Sequence, residues 1–323
     1  MMKKVLIPLF VALMTTVVVQ AQQIAVVTKD GATTLHRTLQ DAIEASSGGS
    51  VIYLPGGGFP ISDEVIIDKR ITIVGIGHKV KGENADGYTT INGNLQFGEN
   101  SDKSAVMGCY ITGNVSIGVD GKQVNDILVR YCNLSSVRIN NSNCHGTEIN
   151  QNYIRTTSWL SGASATFSNN ILYCICEMYD GTIKNNVVTG SYSHGSTYNT
   201  YALDNCKNCS ITDNVILTKY SAHNGSDCQI SGNMSNSNWG ESSIKIEDSW
   251  SNVFENNAGA NSSSSYHFKE AYKQYETQCG IYGGTGFSDG QLPPAPFIVE
   301  KSIPEQTDAS GNLNIRIRVK AGE

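Results

Sequence analysis

The sequence predicts an all-β chain wound into a solenoid, a parallel β-helix of short strand-only coils. Three observations carry that prediction. An apolar residue, two mostly polar residues, Asn and usually another apolar residue recur around Asn94, Asn114, Asn152, Asn170, Asn186, Asn214, Asn233 and Asn257, with an imperfect copy at Asn133. The successive asparagines are 20, 19, 19, 18, 16, 28, 19 and 24 residues apart, too close for helical repeats of about thirty residues or propeller blades of about forty. The chain is also rich in Gly, Asn, Ser, Thr, Val and Ile with only 16% charged residues, a mix that suits many short strands and tight turns.

Taken in order, the chain opens on Met1, Met2, Lys3 and Lys4, an apolar run over 5–19, and a small-residue site ending at Ala21. This is the pattern of a secretory signal, so residues 1–21 are expected to be removed and the product to be secreted or periplasmic. No Cys follows the run, which argues against a lipid anchor, and the run is short for a span. No membrane span is expected in the mature chain. A short strand over 23–30 precedes a helix over 38–45 with Leu39, Ala42 and Ile43 on one face. Gly48 and Gly49 end that helix, and strands follow at 50–56 and 71–75.

The stretch TLQDAIEASSGGSVIYLPGGGF, continued by VIIDKRITIVGIG, covers much of residues 36–77. It resembles the opening of right-handed parallel β-helix proteins of the pectin-lyase-like superfamily. The resemblance implies right-handed winding, an amphipathic helix capping the first coil, and a β-helix body over 22–290. It carries over no catalytic residue. The Asp-Asp, Gly-His-Gly and Arg-Ile-Lys set of a polygalacturonase-like site is missing, Arg138-Ile139-Asn140 being only superficially close. The Asp-His strand end of typical pectate lyases is missing too.

Asn tolerates left-handed backbone angles and bonds to neighbouring turns, so one Asn ladder is expected at a buried corner of the coil. Cys109, Cys209 and Cys228 each lie five residues before a repeat asparagine, at an inward small-residue position. Cys209 and Cys228 would be neighbours, near enough for a bridge in an oxidising compartment. Cys206 and Cys209 have CxxC spacing but lack the second pair a zinc site needs. Residues 266–278 are expected to cover the end of the repeat. In the extension 291–323, residues 313–320 alternate as a half-exposed strand that would close the last coil.

Counting back from four asparagines aligns 173–177, 201–205, 220–224 and 244–248 without gaps. If the first and third positions face the core, the fourth places Cys176, Asp204, His223 and Glu247 in one outward column, with Lys245 beside Glu247. A carboxylate raises the pKa of an adjacent His and makes it a usable acid or base. Asp204, His223, Glu247 and Lys245 are therefore the candidate catalytic residues, and a divalent metal such as calcium is a candidate cofactor. The same pattern also suits a solvated charge ladder on neighbouring strands. Two long loops follow Asn strands and carry Tyr192, His194, Tyr198 and Trp239, candidate sugar-stacking groups.

The net charge of −6 argues against a nucleic-acid partner. The function expected is that of an exported monomer acting on a polysaccharide or cell-surface glycan, as a lyase or glycoside hydrolase; the alternative is a non-catalytic glycan-binding or surface-structural β-helix.

Overall fold

The computed structural model describes residues 24–27, 31–78, 87–193, 200–223, 225–257, 259, 264–288, 296–302, 306, 310–312 and 315–321. Residues 1–21, expected to be a leader, lie outside the described residues with His194 and Tyr198, as do the side chains of Tyr220 and His223.

The chain is a parallel β-solenoid of about eight turns. Each turn contributes one short strand to each of three sheets, which hold 11, 10 and 9 strands. A representative turn runs Thr147–Asn150, Tyr153–Ile154 and Ser158–Trp159 before Ala165–Ser168 begins the next. Neighbouring turns pair in parallel register, Ile149 opposite Phe167, Tyr153 opposite Ile171 and Ser158 opposite Ile175. The shortest repeat keeps this register, with Thr166 opposite Thr182 and Ile171 opposite Val187.

Alternation along each strand builds the core. On the first sheet Ile73, Val106, Val129, Ile149, Phe167, Ile183 and Ile211 stack one above another, each at most 1% exposed. Burying each such side chain is worth about 1.5–3 kcal/mol, and stacking repeats makes the column continuous. The predicted helix forms over Leu39–Ala45, with Thr38 Oγ1 accepting from the Asp41 amide at 3.0 Å. Leu39, Ala42 and Ile43 are buried in the same core as Ile52 and Ile71.

The asparagines form two ladders rather than the expected one. Asn94 and Asn114 stand between second-sheet and third-sheet strands, where the Asn114 amide donates to Asn94 Oδ1 at 2.8 Å. Asn152, Asn170, Asn186, Asn214 and Asn233 instead stand between first-sheet and second-sheet strands, all fully buried. Each backbone amide in this run donates to the next asparagine's Oδ1 at 2.9–3.0 Å. Their Nδ2 groups bind strand carbonyls, such as Asn170 on Ile149 at 2.8 Å and Asn214 on Ile183 at 2.8 Å. Asn133 belongs to neither, because Cys132 holds the ladder position and donates its amide to Asn152 Oδ1 at 2.9 Å. Asn133 pairs with Tyr153 one residue further on.

The last expected copy, around Asn257, is not a coil. The chain forms the helix Trp250–Val253, and Phe254 bridges antiparallel to Phe268. From there residues 264–288 run as a strap over the outer face of the second sheet, so the predicted cover lies along a side. Tyr153, Ile171, Val187, Val215 and Met234 face outward and form a second core with Val253, Phe254, Tyr266, Phe268 and Ile281. Asn169 Nδ2 pins the strap by donating to the carbonyls of Ile281 and Gly283 at 2.9 and 2.8 Å. The C-terminal strand forms over Arg316–Ala321 but pairs antiparallel with Pro296–Ser302, not with the last coil.

All nine cysteines are free thiols. Cys109 and Cys209 are buried as expected, and Cys228 is half-buried. The Cys209 amide lies 3.5 Å from Cys228 Sγ, so the two are rung neighbours.

Candidate functional site

Strand alternation on the third sheet sends Ile175 and Leu203 into the core and their neighbours Cys176 and Asp204 to the other face. Register fixes the column on that face as Gln96, Ser116, Arg138, Trp159, Cys176, Asp204 and His223 on successive rungs. The expected order Cys176, Asp204, His223 therefore holds for the backbone.

Glu247 and Lys245 are not in this column. After Met234–Ser235 the chain turns back through Glu241, which bridges Ser231, and skips the third sheet. Gly240 makes the turn possible. It has φ +87, and a Cβ there would sit 2.4 Å from the Ile230 carbonyl oxygen. Ile244–Lys245 then pairs with Met234–Ser235 in the second sheet. Lys245 Nζ and Glu247 Oε1 form an exposed ion pair at 2.8 Å. The hydrogen bond from Lys245, followed by its charge, holds the Glu247 carboxyl below its usual value.

The column is not open to solvent in its middle, contrary to expectation. Asp204 is only 2% exposed and Cys176 is 0% exposed. The turn that leads from Cys176 to Asp204 carries an excursion after Val187–Val188. Gly190 passes so close to the Tyr173 ring that a Cβ would lie 2.2 Å from it. The strand Tyr192–Ser193 then pairs antiparallel with Thr200–Tyr201. This brings the Tyr192 ring edge-on to Trp159, 4.8 Å between centroids. Since Trp159 is on the rung beside Cys176, the two aromatic rings stand over the face next to Cys176 and Asp204.

The groups beneath are electrostatically tuned. The Cys176 thiol is held protonated by its hydrogen bond with Cys174, by burial, and by the charges of Cys174 and Asp204. Cys174 moves below its ordinary value because the Cys176 hydrogen bond outweighs burial, with help from Thr157 at 3.1 Å. Cys176 is therefore a poor nucleophile. Asp204 is anchored through its backbone, its carbonyl accepting from the Glu177 amide at 2.9 Å.

Trp239 lies elsewhere. It is half-buried and packs on the end of the main core with Ala222, Cys228 and Ile230. Cavities of about 300 Å³ and 440 Å³ flank it. Arg138 and Trp159 were missed by sequence reasoning. The column stands ten residues before the next ladder asparagine at Cys176, Asp204 and His223, but eleven before it at Trp159. A corner one residue longer, with Ser161 and Gly162 at positive φ, hides the match.

Among the described residues no three His, Cys, Asp or Glu side chains gather in a way that could hold a metal ion. With Glu247 on another sheet, the predicted Asp-His-Glu ligand set is not assembled, and no chemistry is routed through a metal. Among the described residues no helix is long and apolar enough to cross a membrane. In comparisons with known protein families, curated proteins and solved structures, the chain matches none.

Proposed function

We propose that this is an exported, right-handed β-helix protein of pectin-lyase-like architecture that holds a polysaccharide along the outer face of its third sheet. The observation that carries the reading is the pair of half-buried rings, Trp159 on the column and Tyr192 packed edge-on to it, one rung from the exposed Arg138. Sugar rings present C–H faces that pack on aromatic rings. Arg138, exposed on the rung next to Trp159, adds a cation for an acidic or hydroxyl-rich unit.

Binding without turnover is the form best supported, because Glu247 is absent from the column and no paired carboxylates remain there for a hydrolase-type site. Catalysis by Asp204 and His223 is a second reading. It is favoured by their adjacent rungs, at the ~4.8 Å spacing of paired strands.

Calorimetry of the full chain against a panel of neutral and acidic polysaccharides tests the proposal. Affinity should fall at least about tenfold in Trp159→Ala and Tyr192→Ala, the loss expected when an aromatic platform is truncated. Release of reducing ends or of unsaturated uronates, abolished in Asp204→Asn, would move the assignment to the second reading. Binding that persists unchanged in both aromatic variants refutes the groove.

A further inference from the structure

Cys206, Cys209 and Cys228 stand out in the sequence, and the glycan reading uses none of them. Folding brings all three to the C-terminal end of the main core. Cys206 and Cys209 are buried there, and Cys228 packs against the same cluster with Ala222, Ile230 and Trp239. A cavity of about 300 Å³ opens beside them, with Cys206, Gly225, Asp227 and Cys228 in its wall. Cys228 is half-buried, whereas the other eight cysteines are buried. Gly225, Ser226 and Asp227 just before it are exposed. A reagent from solution therefore meets Cys228 before any other thiol.

Register decides which thiol lies next to it. Ser210 pairs with Gln229 and Ile211 with Ile230, so Cys209 and Cys228 occupy the same position on consecutive rungs. The Gln229 amide donates to the Cys209 carbonyl at 2.9 Å, and the Cys209 amide approaches Cys228 Sγ at 3.5 Å. Paired strands stand about 4.8 Å apart, inside the ~4.4–6.8 Å between Cα atoms that a disulfide spans. Cys206 is turned away. Its Sγ donates to the Asp204 carbonyl at 3.8 Å, and it is its carbonyl that accepts from Cys228 Sγ, at 3.4 Å. Burial pushes the Cys206 and Cys209 thiols above their ordinary range, so neither competes with Cys228 for a first attack.

What a bond here would hold follows from its place. Gln229–Ser231 is the last strand of the first sheet, and past it lies the single bridge from Ser231 to Glu241. A Cys209–Cys228 bond would close a loop of 19 residues (228 − 209), one turn of the solenoid. It would restrict the opened chain most and so tie the end rung to its neighbour.

We propose that Cys209 and Cys228 form a redox clamp, two thiols that a small disulfide joins, locking the last rung of the first sheet. The Cys228 thiolate attacks one sulfur of the small disulfide, that S–S bond breaks, and one small thiol leaves. The Cys209 thiolate then attacks the Cys228 sulfur and expels the second. Each small thiol carries away the proton of one cysteine. Two protein thiols are oxidised to one disulfide, and the small disulfide is reduced to two thiols. Closure is intramolecular, which offsets the small thiolate fraction of Cys209.

The test is to incubate the reduced, natively folded full chain with oxidised glutathione, count the remaining thiols by alkylation and map the bond by mass spectrometry. Seven of the nine thiols (9 − 2) should remain, with Cys209 bonded to Cys228. Excess dithiothreitol should restore all nine. Amide exchange at Gln229–Ser231 should be slower by about tenfold or more in the oxidised chain. Cys209→Ser should stop with glutathione carried on Cys228, and Cys228→Ser should react about tenfold more slowly. The clamp is refuted if all thiols persist, if glutathione stays on Cys228 of the native chain, or if the bond maps to another pair. A bond that forms without slowing exchange at Gln229–Ser231 would overturn it too. These readouts on the native chain decide the matter even where a variant does not fold.

Discussion

Asn186 is the middle rung of the buried asparagine ladder, and replacing it with Ala tests what holds the turns together. Its Oδ1 accepts from the Asn170 amide at 3.0 Å and from Asn170 Nδ2 at 2.9 Å. Its Nδ2 donates to the Phe167 carbonyl at 2.9 Å and to Asn214 Oδ1 at 3.0 Å. The site is 0% exposed, so water cannot replace these partners. In the Ala variant the Asn170 amide loses its acceptor and the Phe167 carbonyl loses a side-chain donor. At about 1–3 kcal/mol for each buried group left unsatisfied, the loss is about 2–6 kcal/mol, a large fraction of the 5–15 kcal/mol typical of folded chains. Chemical denaturation followed by circular dichroism gives the midpoint and slope. Amide exchange over 167–187 shows whether the damage is local to these rungs. Asn252→Ala, at an exposed position, is the control and should change stability by less than ~0.5 kcal/mol. If Asn186→Ala costs no more than that control, the ladder is not a source of stability and the reasoning fails.

The Lys245 and Glu247 pair is exposed and off the column, so Lys245→Ala with Glu247→Ala should leave the denaturation midpoint unchanged and glycan binding intact; a binding defect would return Glu247 to the site. Cys132→Asn should extend the ladder towards Val106, whose carbonyl lies 3.7 Å from Cys132 Sγ, and raise the denaturation midpoint by about 0.5–1.5 kcal/mol of stability, whereas a lower midpoint would show that the thiol fits where the amide does not. Acid should loosen the strap. Burial of Glu276 favours its neutral form, but hydrogen bonds from Lys273 and His267 outweigh it and leave the carboxyl below its ordinary value. A depressed carboxylate contributes stability that is present above its unfolded pKa, about 4.3, and lost as pH falls through the lower folded value. Amide protection over 264–288, corrected for the intrinsic pH dependence of exchange, should therefore fall below about pH 4, and Glu276→Gln should remove that dependence; an unchanged profile in the variant would exclude the pair as its source.

The solenoid was legible because its signal is repeated and local. Every turn needs an apolar rung, and a corner residue able to satisfy its neighbours. Which corner was not legible. The motif around Asn114 and the motif around Asn152 read alike, yet one stands before the third sheet and the other before the second. A spacing of about one turn cannot distinguish three corners of the same turn, and the one irregular copy, Asn133, marks where the chain changes from one ladder to the other. The Asp204 column was legible because strand alternation and register are short-range. Its burial was not, because it depends on Tyr192 folding back onto Trp159 across two rungs. Glu247 was misplaced for a related reason. The alignment assumed a full turn, and Gly240 allows a short one that no periodicity announces.

The central claim is that the Trp159 and Tyr192 face of the third sheet holds a glycan, and one measurement tests it most directly. The full chain and its Trp159→Ala, Tyr192→Ala double variant are compared by calorimetry against the tightest-binding polysaccharide of the panel, with circular dichroism to show that both are folded. Saturable binding by the native chain, lost in a variant that keeps its β spectrum, is the predicted result. Equal binding by both chains, or none by the native chain to any polysaccharide, would contradict it.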